Sequence, residues 1–156
     1  EYTFAPWKVV WREQALPFRA AVVGPAEDKV VIPDHKLMMV VAESEAEAHY
    51  LCGALNSLPV SAAVAAYTIE TQISTHVLQH IRVPRFSRED PIHRHLASAS
   101  GKAHGAMRNS DREQLRRAEA AIDRWAARLW DLEERHLEEM REFLRELGLP
   151  AGIARR

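Results

Sequence analysis

The sequence predicts an α+β fold, with a short N-terminal antiparallel β-sheet packed with helices, followed by a long C-terminal helical segment or a helical hairpin. Three observations predict it. Short β-branched apolar runs separated by turn residues fill the stretch from Trp7 to Val41, a helix-start signal with an apolar stripe of helical period opens at Ser44, and a second stripe begins at Leu115.

Trp7 to Trp11 is apolar and β-branched, and Phe18 to Val23 follows with Arg19 as its only charge before Gly24-Pro25 breaks the run. Val30 to Ile32 and Leu37 to Val41 come next, separated by Pro33-Asp34-His35-Lys36, a turn with Pro and Asp where a hairpin wants them. The expectation is four short strands. Arg12, Arg19, Lys29, His35 and Lys36 fall at strand edges or turns, where long basic side chains reach a ligand, and Arg19 and Lys36 are taken as candidate contacts.

Ser44 and Glu47 have capping-box spacing. Ala48, Leu51, Cys52 and Leu55 then recur at i, i+3, i+4 and i+7, which puts them on one face against the sheet. Cys52 belongs to that stripe as a small buried apolar residue, since no histidine stands at a recognisable catalytic spacing from it. Asn56-Ser57-Leu58-Pro59 ends the helix, and Val60 to Tyr67 reads as a second one. Thr68 to His76 is a polar interruption. Gln72, Ser74, Thr75 and His76 there offer donors and acceptors suited to base edges or phosphates, or else form a plain surface loop capped by Ser74. Ile81 to Phe86 reads as a closing strand, with Arg82 and Arg85 bringing two forked cations close to that loop.

Asp90 with Pro91 marks a third helix start, and Ile92, Leu96 and Ala99 give that helix one apolar side. His93 and His95, at i and i+2, point to different helix faces, and no Cys or paired acid completes a set with them and His104, so they read as surface or interface groups and no metal is expected. Ser110 with Glu113 is a second capping box. Leu115, Ala118, Ile122, Trp125, Leu129 and Leu132 form a stripe that Leu137, Met140, Leu144 and Leu147 extend, until Gly148 and Pro150 end it. An unbroken helix over 111–147 would run about 55 Å. Asp131 with Glu134 offers a further cap, which would split it into a hairpin.

With 156 residues, of which 47% are hydrophobic, the chain builds one ordinary core, organised as a mixed region over 1–109 and a helical segment over 110–156. The first residue is Glu1 rather than Met, and nothing near it resembles a signal peptide, so a piece of a longer protein is expected. No apolar window approaches the roughly 20 residues of a membrane span, and a single cysteine excludes an internal disulfide, which together suit a soluble, cytoplasmic protein. The net charge of −1 hides a basic middle, for residues 71–117 hold nine Lys or Arg against four acids, while residues 41–70 hold glutamates alone. A polyanion partner fits such a segment.

Several stretches together carry a resemblance: Val31-Ile32-Pro33-Asp34-His35-Lys36, Glu47 to Ser57, Gln72-Ile73-Ser74, Ile81-Arg82-Val83-Pro84-Arg85-Phe86, Pro91 to Leu96 with Ser100 and His104, and Ile122-Asp123 to Leu129-Trp130-Asp131-Leu132. In this order they resemble the C-terminal target-recognition (specificity) region of adenine-N6 DNA methyltransferases, most closely the forms fused into single-chain type II restriction-modification enzymes and related phage-defence methyltransferases. The resemblance spans nearly the whole chain. Asp131 stands where similar proteins often have glycine.

The resemblance implies double-stranded DNA as partner and a separate, preceding methyltransferase domain of the same parent chain, which would hold S-adenosylmethionine and an Asn-Pro-Pro-Tyr type motif. No such motif and no Gly-rich cofactor loop occurs here, so no catalytic residue is carried over, no cofactor is expected in this segment, and the segment alone is expected to be inactive. The candidate DNA contacts are Arg82 and Arg85, the loop residues Gln72, Ser74, Thr75 and His76, and Lys36 and Arg19. The alternative is an interaction module that forms a homodimer through its C-terminal helices.

Overall fold

The computed structural model describes residues 4–13, 16–68 and 78–154. Three strands, β1 (Trp7–Arg12), β2 (Ala20–Val23) and β3 (Leu37–Ala42), form an antiparallel sheet in the order β2-β1-β3. Val9 sits opposite both Val22 and Val40, so β1 is the central strand. Successive side chains of a strand alternate between faces. Val9 and Trp11 accordingly face the helices, while the neighbouring Lys8 is also fully buried.

Lys8 explains a correction. Val30 to Ile32, expected as a strand, is not one, because its chain is held from the side: the Lys8 ammonium donates to the carbonyl of Val31 at 3.0 Å and to that of Ala5. Just before it, Glu27 and Asp28 both adopt left-handed angles, and Ala26 and Lys29 exchange two backbone hydrogen bonds of 2.9 Å. That is the geometry of a two-residue hairpin turn.

Helix α1 (Glu45–Leu55) starts as its sequence dictates. The Ser44 hydroxyl accepts from the Glu47 amide, while the Glu47 carboxylate reaches the amide of Glu43 at 2.6 Å rather than that of Ser44. Ala48, Cys52 and Leu55 are buried with Val9, Trp11 and Phe18. The opposite face of α1 meets the helix that carries Leu96 so closely that a Cβ on Gly53 would lie 2.9 Å from the Leu96 carbonyl oxygen. Helix α2 (Leu58–Tyr67) begins two residues earlier than expected, with Pro59 in its first turn and the buried Asp123 carboxylate accepting from the Leu58 amide at 2.8 Å. A carboxylate there also favours the positive end of the helix dipole.

Helix α3 (Pro91–Arg108) is capped by Asp90, which accepts from the Ile92 amide at 2.8 Å. Helix α4 (Arg112–Leu129) is capped by Asp111, not by Ser110 as expected. Ser110 instead closes α3. It takes a φ of +55°, its amide donates to the Met107 carbonyl, and the Asp111 amide donates to Ala106, the paired bonds of a Schellman ending.

The same ending recurs twice. Asp131 (φ +54°) terminates α4 through the bonds Asp131 to Arg128 and Leu132 to Ala127, and Gly148 terminates α5 (Glu134–Glu146) through Gly148 to Arg145 and Leu149 to Leu144. The long C-terminal stripe is therefore broken at Asp131, and the cap of α5 is Glu133 paired with His136 rather than Asp131 with Glu134. The two halves also part company. α4 packs on α3, burying Leu115, Ala118, Ile122 and Ala126, whereas α5 buries Leu137 and Leu144 with Leu58 and Ala65 of α2. The stripe residues apart from the exposed Leu147 pack within the chain, and the apolar clusters run across position 110 in three places.

No single helix among the described residues is long and apolar enough to cross a membrane.

Candidate nucleic-acid interface

Ile81 to Phe86, expected as a strand, pairs with none. It is a strap across the junction of α1, α3 and α4. Its odd-even pattern survives without a ladder: Ile81 and Val83 pack inward with Phe86, while Arg82, Pro84 and Arg85 are exposed. Side chains from distant elements fix its backbone. The Trp130 indole N–H donates to the Arg82 carbonyl at 2.9 Å, the Tyr50 hydroxyl donates to the Pro84 carbonyl at 2.8 Å, and the Ser87 amide donates to Nδ1 of His93 at 3.0 Å. Arg94 adds two donations, to the carbonyls of Arg88 and Glu89.

Tyr50 is the donor in its bond, because the Pro84 carbonyl can only accept. Burial, with the Asp90 carboxylate adding to it, raises its pKa well above that of an ordinary phenol, so the O–H keeps its proton. The ring lies against His93 and Phe86, with centroid distances of 4.4 and 5.4 Å.

The outward charges of the strap and of the turn after it have no carboxylate partner among the described residues. Among the described residues, Arg82, Arg85 and Arg88 make no ion pair, whereas Arg116, Arg117, Arg135, Arg141 and Arg145 of the C-terminal helices are each matched to a glutamate. Guanidinium groups on a fixed backbone and without a carboxylate are free to take a phosphate or a guanine edge. Beside them His95 stacks flat on Trp125 at 4.0 Å and the Arg128 guanidinium lies 4.6 Å from the Trp125 ring centroid. Trp125 shares an apolar cluster with Val83 and Phe86, so this cationic and aromatic group adjoins the strap. On the α2 side a groove of about 320 Å³ is lined by Pro59, Val60, Ala63 and Trp130 together with His80 and Arg82.

The candidate residues do not all converge. Arg82 and Arg85 share the strap. Lys36 is exposed and lines a cleft with Arg12 and Asp34, and Arg12 also lines the cleft that holds Arg19, so these form a second basic group at the far end of β1. Arg19 is only partly exposed, with its guanidinium donating to the Phe18 carbonyl at 3.0 Å; burial lowers its pKa and the Glu119 carboxylate opposes that shift. Gln72, Ser74, Thr75 and His76 lie outside the described residues.

Sequence reasoning missed the residues that hold the strap. Trp130 lies in the C-terminal stripe region and Tyr50 sits on the unstriped side of α1, so neither announces a role. The histidines also need correction, since His93 is buried and His104 belongs to an internal polar network rather than to the surface. His104 Nε2 accepts from the Val22 amide at 3.0 Å, and the Asn56 amide group both accepts from the Ala20 N–H and donates to the Ala20 carbonyl, each at 2.8 Å. These side chains occupy the outer edge of β2 as a neighbouring strand would. His49 contacts Ser100 Oγ at 3.1 Å within the same network; burial, then the neighbouring His104 and Arg108, pull its pKa down to about 4, so it is neutral at pH 7.

Cys52 is not placed to act as a nucleophile. The Cys52 thiol is fully buried and burial pushes its pKa up to about 12. Among the described residues, no cluster of three or more His, Cys, Asp or Glu could hold a metal ion. Compared with known protein families, curated proteins and solved structures, the chain matches none.

Proposed function

We propose that this chain is the DNA target-recognition part of an adenine-N6 DNA methyltransferase of a restriction-modification or phage-defence system, acting in the cytoplasm. It holds duplex DNA beside a methyltransferase domain elsewhere in the parent chain, and that domain binds S-adenosylmethionine. Phosphate contacts position such a domain and a few side chains read the bases. The observation that carries the reading is the strap with the turn after it, where Arg82, Arg85 and Arg88 are exposed and, among the described residues, without carboxylate partners, on a backbone held by Tyr50, His93 and Trp130. The resemblance along the chain supplies the methyltransferase context.

The test is fluorescence anisotropy of the chain with a labelled mixed-sequence duplex between about 50 and 200 mM salt, the range in which counterion release is visible. Binding that weakens steeply with salt, and further in Arg82→Ala, is expected. Absence of binding at the lowest salt, or an affinity and salt slope unchanged by Arg82→Ala and Arg85→Ala together, would overturn the reading of the strap.

A further inference from the structure

The face of α2 that lines the groove beside Arg82 reaches on to Tyr67, because Val60, Ala63 and Tyr67 recur at i, i+3 and i+7. At its end the Tyr67 ring stacks on His80, with centroids 5.2 Å apart and planes inclined by 18°. His80 is itself a lining residue of the groove. Tyr67 is 59% exposed and joins none of the apolar clusters among the described residues, so core packing does not account for it.

Three chemical features therefore meet in one place. The groove has an apolar floor of Pro59, Val60 and Ala63 and, at its side, a guanidinium that pairs with no carboxylate among the described residues, and the exposed Tyr67 ring stands against His80, one of the lining residues. A peptide needs a separate apolar or aromatic side chain and a carboxylate set at the right spacing to engage all three. A nucleotide whose base has left the helical stack uses all three, since its base needs a π-face and its phosphate a cation.

We infer that this groove seats an unstacked nucleobase of the bound DNA, with Tyr67 stacking on the base and Arg82 on the adjoining phosphate. The inference rests on the DNA reading above. A base inside an intact duplex cannot present its face, so the seat fills only when a base is extruded. His80 braces the Tyr67 ring from beneath and thereby holds the stacking surface in place.

The experiment compares two labelled duplexes in the same anisotropy assay, one fully paired and one carrying a single-nucleotide bulge. The bulged duplex is expected to bind roughly tenfold more tightly, in keeping with the stacking contribution of one base. Tyr67→Leu should remove that preference while leaving affinity for the paired duplex unchanged, Tyr67→Phe should preserve it, and Arg82→Ala should weaken both. Equal affinity for the two duplexes, or a preference that survives Tyr67→Leu, would overturn the base seat and leave the DNA reading standing. Binding of neither duplex at low salt would overturn both.

Discussion

The indole of Trp130 donates its N–H to the carbonyl of Arg82 at 2.9 Å, which ties the C-terminal end of α4 to the backbone of the proposed DNA-contacting strap. The bond acts on the main chain and leaves the guanidinium free. Trp130→Phe retains the packing and deletes the donor, so it should cost about 1 kcal/mol of stability. It should also lower DNA affinity several-fold while the salt dependence keeps its slope, because the number of phosphate contacts is unchanged. Arg82→Ala, by contrast, should reduce that slope by about one unit. A Trp130→Phe variant with full affinity would show that the strap keeps its course without this bond.

Asn56 satisfies both the N–H and the carbonyl of Ala20 on the outer edge of β2. Truncation to Ala leaves the Ala20 N–H without a partner and its carbonyl with only the weak Cys52 thiol donor, in a partly buried place. The expected loss is roughly 2–3 kcal/mol, read as a shift of the urea midpoint at unchanged m-value. A loss below about 0.5 kcal/mol would mean that water replaces the amide without penalty.

Asp131 holds a left-handed conformation that glycine adopts at little cost. Asp131→Gly should therefore stabilise the fold, by about 0.5–1 kcal/mol, even though the same change inside a helix would be harmful. Thermal unfolding measures it, and a lowered melting temperature would contradict the assigned role of this residue in ending α4.

His49 makes the fold sensitive to mild acid. Its folded-state pKa is about 4 against an ordinary value of 6.5, so the unfolded chain binds the proton more readily. The stability it protects is fully present above about pH 6.5 and is lost progressively as pH falls toward 4; allowing for its partial exposure, the loss is on the order of 1–2 kcal/mol. Urea midpoints at about pH 7.5 and pH 5 should differ more for the parent chain than for His49→Gln, and equal differences would assign the effect to other groups.

Local signals were legible where the physics is local. The caps at Ser44 and Asp90 could be read from a few adjacent residues, and the stripe Ala48-Cys52-Leu55 follows from helical periodicity alone. Ser110 misled because the same hydroxyl residue that suits a helix start was needed in a left-handed turn to end α3, leaving Asp111 to cap α4. The alternation Ile81-Arg82-Val83 correctly gave which side chains face out but not what pairs with the backbone between them. Its partners stand 48 and 34 positions away, at Trp130 and Tyr50, and no short window of sequence contains that information. The polar network fails to show for the same reason, since Val22 and His104 are 82 positions apart.

The apolar clusters that join Tyr50, Leu96 and Ala99 to Ile122 and Ala126, and Leu58 and Ala65 to Leu137 and Leu144, bear on how this protein can be handled. A shortened version ending near Ser110 would lack the lid of two oily surfaces, and the first product of such a cut is expected to be a sticky, aggregating polypeptide rather than a minimal reader of DNA. The last quarter of the chain is thus no detachable tail but the closing wall of the interior.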